Sequence, residues 1–320
     1  MFNKIFICII FLICYSILFS ANRGTVGGLF LDLLPTARSI GMGGAVSGIT
    51  NGAEALHFNP AATVYSLEPE FYFTHQILYQ DLKYYYFAYL TQIDNYTAMG
   101  FNIKNLTISD IEKTTVNRGN RYNYFLNGSY EMQDICLSYS IAHKIKKSLN
   151  ISENQYFIVS YGGSIKYIVS KIDTYKAKTY TTDWSLFLKG KGINLNFMIT
   201  NLFGSLKYNK KKEDLSLSFK MGIGVPFEIK EHNTNLGIEI TKIVGDNLYF
   251  NTGLEFEINK NLILRTGRDF RNDANNSLSF GIGYKIPYDL KYIKNLMINY
   301  AFSTYGDLGD KHAFDLSIKF

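Results

Sequence analysis

Residues whose types and spacing suit covalent chemistry are sparse in this 320-residue chain. Neither a Gly-x-Ser-x-Gly turn, which presents a nucleophilic serine, nor a His-Glu-x-x-His pair, which binds zinc, occurs in it. The histidines are isolated from one another and have no second ligand at metal spacing: His57, His75, His143, His232 and His312. An enzyme is therefore the least supported hypothesis, and the sequence implies no cofactor.

The glycine-rich sequence GMGG at residues 41–44 is a candidate phosphate-binding loop. A dinucleotide fingerprint requires a third glycine where this chain has Val46, and it requires a strong preceding strand that the sequence does not offer. Glycines also occur where the backbone adopts a positive φ or approaches a neighbour closely. Together with the turn expected at Asn59-Pro60, they indicate a compact, tightly packed segment. Its glycines are Gly41, Gly43, Gly44, Gly48 and Gly52, with Gly28 just upstream.

Alternating segments organise the rest of the chain from Glu70 onwards. In residues 215–225, 248–258, 278–285 and 314–320, apolar residues alternate with small, polar or charged ones. A period of two is typical of β-strands with one apolar face. The segments predict fourteen strands, near residues 70–79, 82–91, 95–104, 133–143, 155–171, 178–188, 192–201, 214–225, 234–242, 247–258, 262–270, 277–286, 293–303 and 312–320.

Alternation alone is compatible with a soluble sandwich and with a membrane barrel. Segments of about 9 to 12 residues match the tilted strands that cross a bilayer. The polar faces contain glycines and opposite charges, and aromatic residues gather near the strand ends, as in the interfacial girdles of barrels. We therefore predict an all-β fold, a transmembrane antiparallel β-barrel of about 14 strands with a Gly-rich hatch in its lumen. An even strand number leaves both barrel ends on the periplasmic side.

Composition supports this class and argues against two others. The chain is 47% hydrophobic, but its mean hydropathy is only −0.05. After the N-terminus, no apolar run approaches the roughly 20 residues that a membrane helix needs. The net charge of +6 comes with scattered lysines, so no nucleic-acid partner is predicted.

The N-terminal residues have the order of a secretory signal peptide. Lys4 is followed by an apolar run over residues 5–19 and by the small pair Ser20-Ala21. We expect export and location in the bacterial cell outer membrane, with a signal peptide at 1–21, the hatch at 22–69 and the barrel at 70–320. Cys136 is then the only cysteine of the exported chain, and we interpret it as a small apolar side chain on a strand.

A parity argument predicts one hairpin in detail. Residues that face each other across a hairpin share a face of the sheet. If Phe256 pairs with Leu264 outside the barrel, Glu255 must face Arg265 in the lumen as an ion pair. This register requires an odd turn such as Asn259-Lys260-Asn261.

Two polar stretches are predicted to be extracellular loops. Leu106–Gln133 is the longest gap between the predicted strands and contains Arg118 and Arg121. Lys207–Asp214 contains three consecutive lysines, which a solvated loop accommodates without a specific partner.

Several motifs resemble those of a known family. ARSIGMGGA at 37–45, followed by EALHFNPAA at 54–62, resembles the N-terminal signature of the PorV/PorQ (UPF0164) family, which is related to the FadL-type fatty-acid transporters. Ser164–Asp183 resembles its central segment, and Tyr300–Phe320 resembles its C-terminal hairpin with a terminal phenylalanine. The resemblance covers almost the whole exported chain, although Thr63 stands where the family commonly has a glycine.

The resemblance implies a fourteen-stranded barrel whose lumen is blocked by an N-terminal hatch. Asn59-Pro60-Ala61 matches the hatch motif of FadL-like proteins, so Gly41, Gly43, Gly44, Asn59, Pro60 and Ala61 become the candidate hatch and gating residues. A structural role of Asn59 and Pro60, shaping a turn that anchors the hatch, is the simpler alternative. The terminal Phe320 resembles a signal for the barrel-assembly machinery, an expected partner besides outer-membrane lipid.

Three functions follow as hypotheses. The first is a FadL-like channel for passive uptake of long-chain fatty acids or other hydrophobic small molecules. It predicts an apolar ligand pocket between hatch and wall, formed by Leu29, Phe30, Leu33, Leu34 and Phe58. The second is a PorV-like accessory component of type IX-like protein secretion or surface assembly, with secretion-system proteins as partners. The third, an outer-membrane enzyme, lacks a catalytic motif.

Overall fold

The structure is a computed structural model and describes residues 26–116, 124–146, 148–152, 155–270, 277–287, 293–304 and 309–320. The predicted signal peptide, residues 22–25 of the predicted hatch, and Arg118 and Arg121 lie outside these ranges. Within them, no helix is long and apolar enough to cross a membrane.

Fourteen antiparallel strands close into one barrel, as predicted. The first barrel strand pairs with the last, and β4 pairs with β6, which completes the ring. The short strand β5 pairs only with β6, and β9 and β10 form a separate hairpin. The strands are β1 Glu70–Ile77, β2 Lys83–Gln92, β3 Thr97–Val116, β4 Tyr124–Lys144, β5 Leu149–Ser152, β6 Gln155–Ile172, β7 Tyr175–Gly190, β8 Asn194–Thr200, β9 Ser205–Tyr208, β10 Lys211–Asp214, β11 Ser218–Ile229, β12 His232–Ile243, β13 Leu248–Glu257, β14 Leu262–Asp269, β15 Ser277–Ile286, β16 Asn295–Thr304 and β17 Asp310–Lys319.

The two faces of the wall differ as the alternation predicts. On β1, Phe71 and Phe73 are exposed on the outer surface, whereas Tyr72 and Thr74 are buried in the lumen. We call the rim at which β1 begins and β17 ends the periplasmic rim and the opposite one the extracellular rim. Near the periplasmic rim, the outward rings of Phe71, Phe87, Tyr89, Phe101 and Phe320 contact one another. The outer surface is thus an apolar band with an aromatic girdle, which a bilayer covers.

The predicted extracellular loop at Leu106–Gln133 is wrong in its extent. β3 continues to Val116 and β4 begins at Tyr124, so a two-stranded ribbon extends beyond the other strands. The pairing shifts register between Ile108 and Ile111 and again between Glu112 and Thr114. Such irregularities interrupt the simple alternation, which is why the pattern underestimates both strands.

The connection between β8 and β11 also differs from the prediction. The residues predicted as a loop, Lys207–Asp214, belong to the β9–β10 hairpin, and β11 begins at Ser218 rather than near 214. Asn201 Nδ2 donates to the Ser216 carbonyl at 3.0 Å and joins the two ends of this connecting segment. Leu206 and Leu215 are buried, so the hairpin folds inwards and covers the lumen at the extracellular side.

The hatch is built from short helical turns inside the barrel. Thr36 caps the first α-helix, because its Oγ1 accepts from Ser39 N at 3.1 Å while Ser39 Oγ accepts from Thr36 N at 3.2 Å. Its helices are α1 Ala37–Gly41 and α2 Ala55–Phe58, with 3-10 turns at Leu29–Asp32 and Pro60–Tyr65; a further 3-10 turn, Tyr79–Asp81, connects β1 and β2.

Candidate functional site

A row of glycines on the lumen face of the wall receives the hatch backbone. A Cβ atom at position 237 would overlap the Ala45 carbonyl, and one at position 253 would overlap the Met42 carbonyl. Backbone therefore packs on backbone here, and no side chain fits between the two layers. The row consists of Gly224, Gly237, Gly253 and Gly267, on the consecutive strands β11 to β14, each directly opposite the next.

The predicted hatch glycines provide the other half of this contact. A Cβ atom at Gly41 would lie 3.0 Å from Gly281 Cα on β15, and one at Gly43 would overlap the backbone of Arg268. Gly43 and Gly44 also have positive φ angles of 59° and 88°, which disfavour any side chain. The GMGG sequence thus forms a close backbone contact with the wall. Of the two roles considered for these glycines, this geometry corresponds to close backbone approach and not to a phosphate-binding loop.

A buried ion-pair network fixes α1 beside the glycine row. Arg38 Nε and Nη2 donate to the two carboxylate oxygens of Glu255 at 2.8 and 2.9 Å, and Nη1 donates to Glu54 of the hatch. Arg265 Nε donates to the same Glu255 carboxylate at 2.6 Å. Burial by itself lowers the pKa of the Arg38 guanidinium, but Glu255 and Glu54 more than reverse this and raise it above its ordinary value. Arg38 therefore stays charged and links hatch to wall.

The β13–β14 hairpin has the register that the parity argument predicts. Glu255 faces Arg265 in the lumen, and Phe256 faces Leu264 on the outer surface. The strand ends hydrogen-bond across an odd turn at residues 259–261. The predicted ion pair between Glu255 and Arg265 is present in the structure, and its role in function stays a prediction.

The last strand holds the N-terminus of α1. Ala37 N donates to Asp315 Oδ2 at 2.7 Å, and the Tyr72 hydroxyl donates to the same oxygen at 2.5 Å. Asp315 is buried, so its carboxylate depends on these donors. Asp315, Arg38 and Glu54 are not predicted from the sequence, although a charged residue on the polar face of a strand or in a Gly-rich motif is a usable signal.

A polar cavity of about 310 Å³ opens beside this network at the periplasmic rim. Its lining residues are mostly polar or charged, with Tyr72, Ile263 and Met297 as apolar members, so it suits water or a polar group better than a hydrocarbon. The charged residues around it include Arg38, Glu54, Glu70, Glu255, Arg265 and Lys319.

The opposite side of the hatch faces an apolar strip that runs along the lumen. Its wall residues belong only to β1–β4, β6 and β7. Leu90 and Ala98 lie near its periplasmic end, and Leu106 lies in the extracellular half. The hatch contributes Phe30, Leu31, Ala53, Leu56 and Val64, and Leu206 and Leu215 cover the strip from the extracellular side.

A buried lysine interrupts the strip. Lys104 is 1% exposed, and its Nζ contacts His57 Nδ1 at 2.6 Å and the Leu31 carbonyl at 3.4 Å. Within the described ranges it forms no ion pair with a carboxylate, whereas the neighbouring buried Lys166 pairs with Asp183 at 2.5 Å. A buried ammonium without a counter-ion is costly, which marks Lys104 as a candidate ligand-binding residue that the sequence argument missed.

The Asn59-Pro60-Ala61 triplet anchors the hatch to the wall. Asn59 Nδ2 donates to the Ser47 carbonyl at 2.9 Å within the hatch. Ala61 N donates to Ser185 Oγ at 2.8 Å, and Ser160 Oγ donates to the Ala61 carbonyl at 2.7 Å. Both backbone groups of Ala61 thus bind β6 and β7. This geometry agrees with the anchoring alternative, and a gating role stays a proposal.

The five residues of the predicted apolar pocket do not meet in one place. Phe30 is buried in the apolar strip with Leu33 packed beside it, whereas Phe58 packs on Met42 and Val46. Leu34 lies between Phe58 and the α1 cluster, and Leu29 is 60% exposed. The hatch sequence alone does not reveal this separation of the five residues, because short helical turns direct neighbouring residues to different walls of the barrel.

Comparison with known proteins supports the fold. No protein-family model matches the chain, and no curated protein matches its sequence. Among solved structures, a FadL homologue from Pseudomonas aeruginosa is similar with a TM-score of 0.55 and 11% identity, covering 89% of this chain and 98% of that one. The toluene transporter TodX from Pseudomonas putida gives 0.53 and 13%, covering 90% and 97%. The CymD monoaromatic hydrocarbon channel gives 0.51 and 10%, covering 89% and 96%.

These likenesses define the class of fold. The chain is an outer-membrane-type β-barrel with the architecture of FadL-type transporters. The FadL-like part of the resemblance is confirmed at that level, and the PorV/PorQ assignment stays a prediction.

Substitutions in the glycine row should release the hatch without unfolding the barrel. Gly237→Ala and Gly253→Ala each force a methyl group into the hatch backbone, and we expect docking to weaken by about 1–3 kcal/mol. Planar-bilayer conductance should rise while heat-modifiable gel migration stays that of a folded barrel. The control is Gly163→Ala, whose Cβ would meet Asp183 O at 3.2 Å and no hatch atom. Unchanged conductance in both row variants would contradict the docking model.

Neutralising the shared carboxylate should have a similar effect. Glu255→Gln leaves two buried guanidinium groups without their common partner, a loss of about 3–5 kcal/mol. We expect protease cleavage within the hatch and higher conductance. The matched control is Glu257→Gln on the same strand, because Glu257 pairs with the partly exposed Lys285 and should cost only about 0–1 kcal/mol. Equal behaviour of the two variants would refute a linking role for Glu255.

Proposed function

We propose that this protein is an outer-membrane channel for passive uptake of long-chain fatty acids or other hydrophobic compounds. The observation that carries the proposal is the apolar strip between the hatch and strands β1–β4, β6 and β7, with Lys104 buried in it. An apolar surface with one cation suits a ligand that has a long apolar chain and an anionic end. The hatch backbone packs directly on the opposite wall, so we place the ligand path along the strip, where the apolar hatch side chains must move aside.

Further polar groups support a ligand with a polar end. Among the described residues, the buried Tyr84 hydroxyl and Asn102 Oδ1 have no hydrogen-bond partner. Tyr84 and Lys104 lie on the paired strands β2 and β3, and Asn102 precedes Lys104 by two residues on the same face. Buried polar atoms are normally satisfied. A ligand carboxylate at this position can accept from the Tyr84 hydroxyl, and a water can supply the donor that Asn102 Oδ1 lacks.

The similar structures support the hydrophobic class but differ in cargo. They are a FadL homologue, a toluene transporter and a monoaromatic hydrocarbon channel. We favour an acid over a neutral hydrocarbon for this chain because of Lys104. Passage requires the β9–β10 hairpin to move, since Leu206 closes the strip at the extracellular side.

Uptake measurements test the proposal. In a host strain without its own fatty-acid channel, the chain should increase uptake of radiolabelled palmitate over empty vector. Lys104→Met should lower palmitate uptake about tenfold, the loss of one charge-assisted contact, and leave uptake of the neutral analogue 1-hexadecanol unchanged. The control is Lys113→Met, which removes an exposed ion pair with Asp173. No palmitate uptake by the wild type would refute the function, and equal loss for both probes would refute the carboxylate role.

A PorV-like role in secretion or surface assembly is a second candidate, and the β3–β4 ribbon favours it. Tyr124, Phe125 and Leu126 are exposed on this ribbon, beyond the strands that the bilayer covers. Exposed apolar residues outside the membrane are typical of a contact with another protein. Shortening the ribbon should abolish such a function and spare palmitate uptake. The barrel-assembly machinery remains a proposed partner through Phe320.

A further inference from the structure

The periplasmic end of the apolar strip is flanked by two lysines and the end of the hatch. Lys144 and Lys189 lie on lumen faces of β4 and β7, because Ala142 and Phe187, two residues earlier, are buried in the lumen. Their Nζ atoms lie 5.7 and 4.5 Å from the ring centroid of Tyr65, the last residue of the 3-10 turn that ends the hatch. One aromatic ring of the hatch is thus positioned between two cations of the wall.

The arrangement continues around the rim. Lys144 Nζ also lies 5.5 Å from the ring centroid of Tyr96, and Lys146 Nζ lies 4.9 Å from the same ring. Lysines and tyrosines therefore alternate as Lys146, Tyr96, Lys144, Tyr65 and Lys189. We call these five residues the rim cluster. Its rings attract the ammonium groups through their faces and hold them near one another.

The rim cluster has no compensating carboxylate. None of its three lysines forms an ion pair within the described part of the chain. Asp94, two residues before Tyr96, is engaged in its own turn, where it accepts from Tyr96 N at 2.7 Å and Thr97 N at 2.8 Å. Elsewhere in the lumen, cations such as Arg38 and Lys166 have carboxylate partners. Three like charges held together without a counter-ion attract an anion.

We propose that the rim cluster binds the anionic headgroup of the apolar ligand as it leaves the lumen for the periplasm. This inference rests on the proposed function. Lys104 holds the headgroup in mid-lumen, and the rim cluster provides the next cationic position along the same strip, beyond Ala98 and Ala142. Tyr65 covers the apolar part of the ligand, while Lys144 and Lys189 meet the carboxylate. The ligand therefore moves between two cationic positions and always keeps its charge paired or hydrated.

The headgroup of an anionic phospholipid has similar chemistry, but the geometry favours the transported ligand. Lys144 and Lys189 point into the lumen rather than towards the lipid-covered surface, and Tyr65 belongs to the hatch.

The double variant Lys144→Gln/Lys189→Gln tests the inference in the full-length protein. We expect palmitate uptake to fall about three- to tenfold, as for the loss of two charge contacts at a partly exposed position, with 1-hexadecanol uptake and heat-modifiable migration unchanged. Lys191→Gln/Lys260→Gln is the matched control, because both are exposed on periplasmic turns and remove the same charge. Tyr65→Phe should retain uptake, whereas Tyr65→Leu should lower it.

The outcomes separate the two proposals. If the wild type takes up palmitate and the double variant does so equally well, the rim cluster has no headgroup role and the channel function stands. If the wild type takes up no palmitate, both fail. If mass spectrometry shows that the double variant loses a bound anionic phospholipid while palmitate uptake is normal, the cluster belongs to the lipid and the inference is overturned.

Discussion

Direct packing of hatch backbone on wall backbone is the constraint on which the rest of the lumen depends. It requires glycine on both layers, because one methyl group between them has no room. The close approach brings α1 near enough to the wall for Arg38 to reach Glu255 and for Ala37 N to reach Asp315. Because the hatch backbone covers the lumen face of β11–β15, the apolar residues of the hatch face the other strands. The close backbone contact therefore accounts for both the polar and the apolar half of the lumen.

The two halves are stabilised in different ways. On the polar side, buried charged groups are held by directional contacts that fix the position of the hatch: Arg38 and Arg265 bind Glu255, and the Asp315 carboxylate accepts from Ala37 N and the Tyr72 hydroxyl. On the apolar side, burial is non-directional and tolerates rearrangement. The hatch is therefore anchored by charged and backbone contacts along one wall, and along the other by the Ala61 hydrogen bonds to Ser160 and Ser185 beside an apolar surface. This asymmetry fits passive movement of a hydrophobic compound without removal of the whole hatch.

The sequence predicts the barrel well and the lumen poorly. Alternation gives the strand number and most strand bounds, because a two-residue period directly reflects which face meets lipid. Parity gives the pairing of Glu255 with Arg265. The β3–β4 ribbon is missed because its register shifts disturb the period, and the inward hairpin at 205–214 is missed because its lysines are typical of a solvated loop. Lys104 is missed because a single charge on a polar strand face does not reveal that its surroundings are apolar.

The bond between Ala37 and Asp315 joins positions 278 residues apart in the chain. The first helix of the hatch thus finds its binding partner only when the final strand is in position. Contacts of such long sequence separation form slowly, since a large loop must close first. The contact between α1 and the wall is therefore complete only in the closed ring, in which β17 lies between β16 and β1.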